Sequence, residues 1–142
     1  MSVIETVDVI EPWMYQRLAA DAALTALVAG RVVSTMAGRN MQSPYVVFDL
    51  NSPRDIRGIG TGRIMVDCLY VAKAVGKTDS WDDLAPIAAR VDELLDGASG
   101  EVVAGHVLGV ARERVVQYAE VDDNGNQYRH LGGMYRLWAH AQ

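Results

Sequence analysis

The chain has 142 residues, half of them hydrophobic, with 13 Lys plus Arg against 18 Asp plus Glu, for a net charge of −5. That is enough apolar chain for one domain with a real core, and it lacks the basic balance of a dedicated nucleic-acid binder. No apolar run nears the roughly 20 residues that cross a bilayer; the acidic start MSVIETVDVIEP does not read as a signal peptide, and the lone Cys68 leaves no internal disulfide, so a reducing cytoplasm is expected.

Residues 11–29, EPWMYQRLAADAALTALVA, are rich in Ala and Leu and predict helix. Glu11 and Pro12 suit its start and Gly30 its end. Trp13, Leu24, Leu27 and Val28 share a face that Leu18 leaves, and Asp21 is a candidate cap for a second short helix, so a break is allowed there. Residues 31–34 read as extended. PYVVFDL, residues 44–50, predicts a strand opened by a proline. From Asn51 to Gly62 a polar run with three Gly and one Pro predicts a loop.

Residues 63–73 alternate, with Ile64, Val66, Cys68 and Tyr70 on one face and Arg63, Met65, Asp67, Leu69 and Val71 on the other. A helix is expected from about 80 to 96. Its buried stripe is Leu84, Ile87, Ala88, Val91, Leu94 and Leu95, with Asp82 and Asp83 in the first turn and Gly97 as the stop. Pro86 implies a bend or a later true start. Beyond Gly100 come a short strand and a longer one, bulged at Gly105 and Gly109. DDNGNQ, residues 122–127, forms a polar turn, and a last strand is entered through Gly132 and Gly133. The expected fold is α+β: a mixed, largely antiparallel four- to five-stranded sheet with two main helices packed on one face, in a single domain over residues 1–142.

The motifs that suggest chemistry fail on inspection. Gly76-Lys77-Thr78, between a strand and a helix, has the last three letters of a phosphate-binding loop, but the first glycine of that pattern is replaced by Val71. A small nucleotide-binding or hydrolytic domain using this turn stays open as the alternative function. The bland reading is a turn in which Thr78, Asp79 or Ser80 caps the helix. Asp122, Asn124 and Asn126 have the first ligand spacings of a calcium loop, but Gln127 and Gly133 stand where Gly and Glu are needed. GIGTG, residues 58–62, precedes a strand and offers no helix N-terminus to a pyrophosphate. His106, His130 and His140 are dispersed, and Cys68 falls on an apolar-facing set. No catalytic set, metal site or cofactor site emerges, which moves the weight toward a structural or binding role.

Four segments together carry a resemblance: MYQRLAADAALTALVAGRVV, SPYVVFDL, GRIMVDCLYVAKA leading to DLAPIAARVDELLDG, and YRHLGGMYRLWAHA. Over roughly residues 10–141 the chain resembles the tail-terminator, or tail-completion, proteins of long-tailed bacteriophages and gene-transfer particles. Residues 1–10 fall outside the likeness and read as a flexible extension, and residues 98–118 are loosely patterned. The resemblance implies a non-enzymatic virion protein, made in the host bacterial cytoplasm, that forms a homo-oligomeric ring, commonly of six, on the end of the tail tube. It implies a tail tube protein on one side, a head-side neck or stopper protein on the other, and DNA passing through without specific binding. A head-completion or neck adaptor role is the neighbouring alternative.

The residues themselves place contacts in the Asn51–Gly62 loop, because long polar Gly-rich loops tend to be functional. Arg54, Arg57 and Arg63, with Asp55 among them, are the expected interface residues, since guanidinium forks suit interfaces. Trp13 and Trp138 are assigned to the core.

Overall fold

The computed structural model describes residues 3–60 and 62–142. A π-helical turn, Thr6–Ile10, runs straight into α1, Glu11–Ala19, and α2, Ala22–Val28, follows. Asp21 makes the break. Its backbone is extended and its carboxylate accepts the Leu24 N–H at 2.9 Å, a side-chain cap on α2. The break rephases the apolar stripe, so Leu18 joins Leu24 and Val28 in the core while Leu27 stays exposed.

The strands are β1 Val32–Ser34, β2 Tyr45–Arg57, β3 Arg63–Lys77, β4 Gly100–Val102, β5 Gly105–Val121 and β6 Gln127–Ala141. They form one sheet in the order β1-β2-β3-β6-β5-β4. β1 runs parallel to β2 and the other pairs are antiparallel. The sheet therefore has six strands where four to five were expected. The three-residue β1 and β4 at its margins correspond to the extended residues 31–34 and the short strand after Gly100, and with both paired into the sheet the count reaches six. Helix α3, Ala85–Leu95, lies between β3 and β4 in the chain. Ser80 caps the 3-10 turn Trp81–Asp83 by accepting the Asp82 N–H, and Pro86 sits in the first turn of α3, where no backbone donor is lost.

Helices and sheet meet in one apolar cluster. Leu18, Leu24, Val28, Ile87, Val91 and Leu95 pack with Val46, Phe48, Cys68, Tyr70, Ala72 and Leu137, all at most 2 % exposed. Burial of each large member contributes about 1.5–3 kcal/mol. The alternate strand residues, such as Asp67 and Lys73, point to the face away from the helices.

Three expectations are corrected. The Asn51–Gly62 loop is mostly strand, since β2 continues to Arg57 and only the turn around Gly58–Gly62 remains. Pro53 is tolerated because it lies just past a register shift between Leu50 and Ser52, on a stretch of β2 that β1 does not reach. The last strand begins at Gln127, five residues before Gly132. Residues read as an N-terminal extension are packed: Val9 and Ile10 are fully buried, and Glu5 is nearly so.

Candidate functional site

The β2–β3 hairpin forms an arm. β6 pairs with β3 only as far as Val66, opposite Ala139, so the hairpin end beyond Val66 has no ladder partner in β6 among the described residues and β2 alone pairs with Arg63 and Met65. Gly60 takes φ +69°, a left-handed conformation that glycine adopts without strain. Ile59 beside it is fully exposed and Ile64 is largely so.

The four residues assigned to this segment have different fates. Arg54 Nη2 donates to Asp67 Oδ2 at 2.9 Å, although its side chain is 70 % exposed. Arg63 is tied inward, with Nε 2.5 Å from the Glu5 carboxylate and Nη2 donating to the Val3 carbonyl at 3.3 Å. Its work is to anchor the N-terminal segment to the arm. Asp55 and Arg57 are exposed and make no side-chain hydrogen bond or ion pair among the described residues, so these two face outward unspent. The structure thus brings the four together on one hairpin but engages two of them within the fold.

Sequence reasoning missed what Arg54 belongs to. Asp67, only 6 % exposed, accepts Arg54 on one oxygen and Arg136 Nη1 on the other at 2.5 Å. Arg136 Nε also reaches Glu113 at 2.5 Å. The chain of charges Arg54–Asp67–Arg136–Glu113 runs across β2, β3, β6 and β5 on the face away from the helices. The available signal was Asp67 as the single acid of β3. A second cluster lies farther along this face. Lys73 Nζ donates to the Tyr118 hydroxyl at 2.6 Å, and the Tyr118 ring stacks on His130 at 4.3 Å. His130 Nε2 lies 2.6 Å from Glu120. Burial pulls the His130 pKa below its ordinary value, against the opposing pull of Glu120. Beside it is a recess of about 240 Å³ lined by Met36, Tyr45, Val47, Val71 and Lys73. Trp138 is half-buried on this face rather than in the helix-covered core expected for it, whereas Trp13 is buried in that core as expected.

The rejected motifs have structural explanations. Gly76 and Lys77 are strand residues paired with Arg129 and Tyr128, and the Lys77 N–H is directed to Ser43 Oγ at 3.2 Å. A Cβ on Gly76 would meet Leu84 Cδ2 at 2.8 Å, so the missing side chain makes room for a core leucine. A phosphate cradle needs several free N–H groups at the start of a helix. Here the chain is in a ladder, and the Asp83 carboxylate sits on Thr78 Oγ1. Asp122 Oδ1 accepts the N–H groups of Asn124 and Asn126, both at 2.9 Å, and so closes a turn. Among the described residues no group of three or more His, Cys, Asp or Glu is placed to hold a metal. Cys68 is fully buried, and burial pushes its thiol up to about 11, which removes it as a nucleophile near neutral pH.

Comparison with known proteins gives a consistent picture. The family model described as tail completion protein gp17 matches residues 12–139. No curated protein matches the chain. A solved structure described as the virion of a native gene transfer agent (GTA) particle contains a chain of similar fold. It is 23 % identical, covers 89 % of this chain and 91 % of its own, and superposes with a TM-score of 0.69.

Proposed function

The chain belongs to the tail completion protein gp17 family of the virion tail, and on that premise we propose that it is the piece that ends the tail. Copies close into a ring, of six, on the last layer of the tail tube. The ring stops tube growth and presents its far side to the head-side neck protein. The observation that carries this reading is the family match over residues 12–139.

The physical properties agree with a scaffold. A ring is a heterologous interface repeated until it closes, and it needs two unlike patches on each copy. The exposed arm is one such patch. A net charge of −5 suits a channel that lets DNA pass without holding it, because phosphate affinity comes from surplus Lys and Arg. The role proposed is non-enzymatic and needs no cofactor. Binding of the tail tube, the neck protein and further copies of itself would be its whole activity.

Light scattering on a sizing column tests the oligomer. A species near 93 kDa, six times 15.5 kDa, is expected from the protein alone, or co-elution with short tubes of tail tube protein where the ring closes only on them. A 15.5 kDa monomer that ignores tubes would overturn the reading.

A further inference from the structure

Two regions present backbone and side chains outward among the described residues, and they lie at diagonal corners of the sheet. The first is the arm. The second is the outer side of β5. β4 pairs only with Gly105–Val107. Past it, the Gly97 N–H reaches the Val110 carbonyl at 2.8 Å and the Arg112 N–H reaches Asp96 Oδ1 at 2.9 Å, so the turn after α3 covers the strand that far. From Arg114 to Val121 no element among the described residues flanks β5 on that side.

An open edge is a template for another chain, and proteins blunt it with Pro, Lys or a bulge. β2 does so, with Pro53 and the register shift at Leu50/Ser52. The run RVVQYAEV, residues 114–121, contains no Pro, Lys or Gly, and its register is unbroken. It also displays apolar surface on one face, where Val115 and Val121 are 51 % and 65 % exposed, while Tyr118 points to the other face and meets Lys73 and His130.

Most charges at the two corners are already paired within the fold: Arg54 with Asp67, Arg63 with Glu5, Glu113 with Arg136 and Glu120 with His130. What the arm leaves is Arg57 beside Asp55, and what the far end of β5 leaves is the acidic Asp122–Asp123 turn. Arg57 and Asp123 are each exposed and unpaired within the chain. We propose that the arm of one copy docks along the open Arg114–Val121 edge of the next copy. Ile59 and Ile64 cover Val115 and Val121, which share one face of β5, and Arg57 meets the acidic Asp122–Asp123 turn. Because arm and edge differ, the contact is head-to-tail and repeats around a ring. The inference rests on the ring reading above and names the surfaces that would make it.

Cysteine pairing between copies tests it. Cys68 is buried, so introduced thiols report alone. Ile59→Cys and Val121→Cys proteins are made separately, mixed under assembly conditions with tail tube protein, and oxidised. A disulfide dimer that forms in the mixture and in neither variant alone is expected. In parallel, Arg57→Glu and Asp123→Arg are each expected to weaken self-association about tenfold or more. The double variant is expected to recover most of it, with unchanged melting of the monomer throughout. Rings in negative stain without the mixed disulfide, and indifferent to the charge reversals, would overturn the arm-to-edge contact and leave the ring standing. Absence of rings in the presence of tubes would overturn both.

Discussion

Asp67 of β3 lies under Arg136 of β6, with 2.5 Å between Oδ1 and Nη1, and is almost wholly buried although it faces away from the helices. Its other oxygen takes Arg54. A carboxylate this shielded survives because both oxygens are paired with guanidinium groups. Asp67→Ala is expected to cost about 1–3 kcal/mol in urea unfolding, less than for a fully sealed pair because both arginines can turn to water. Arg54→Ala costs less than Arg136→Ala, since Arg54 is already largely solvated. Equal losses at all three positions would deny the hierarchy. Arg54→Glu is a poor probe of any interface, because it sets a second carboxylate beside Asp67; Arg57 is the cleaner position.

The Asp21–Arg90 fork predicts an acid response. Arg90 donates two hydrogen bonds to Asp21, at 2.9 and 2.7 Å. With the Leu24 N–H, they hold the Asp21 carboxyl at about 2, below its ordinary 3.8. A folded-state pKa lowered in this way gives stability that is full above the unfolded value and lost as pH falls through the folded one. Melting temperature is expected to drop between about pH 4.5 and pH 2, and Asp21→Asn is expected to flatten part of that drop. An unchanged slope in the variant would remove the fork from the acid response.

Two glycines separate backbone from side-chain crowding. A Cβ on Gly132 would lie 2.2 Å from the Ala72 carbonyl oxygen and 2.4 Å from Lys73 Cα, so β3 and β6 would have to part. Gly132→Ala is expected to cost about 1–3 kcal/mol or more. Gly76→Ala presses only on the end of the Leu84 side chain and costs less. The same Gly76 variant, with Lys77→Ala, addresses nucleotide binding. A ligand at 100 times its dissociation constant adds about 2.7 kcal/mol, and no shift in melting with magnesium nucleotide is expected in the native chain.

Deleting residues 1–10 is expected to destabilise the fold rather than trim it. Val9 and Ile10 are fully buried, and each contributes about 1.5–3 kcal/mol. The deletion also leaves Arg63 without Glu5. An unchanged denaturation midpoint would show that the segment does not belong to the core.

The elements with strong local signals were legible in the sequence. These are the Asp21 break, a cap among Thr78, Asp79 and Ser80 that falls to Ser80, the apolar stripe of α3 and the Asp122–Asn126 turn, each a matter of side chains close in the chain. Strand lengths were not. Asn51–Arg57 reads as loop because Ser52, Pro53 and Asp55 disfavour strands, yet long-range pairing with β3 overrides that preference. Gly76 and Lys77 read as a turn for the same reason, and the ladder to β6 decides otherwise. The arginines of the candidate interface were found by type, but their partners were not. Glu5 lies 58 residues from Arg63, and no local pattern announces a contact at that distance.

The role proposed for this chain is to close the end of a tail tube. The most direct measurement is negative-stain imaging of tail tube protein polymerised with and without it. Tubes bearing one annular cap at a single end, and ceasing to grow once capped, are expected. Tubes with bare ends that keep lengthening at saturating protein would contradict that role.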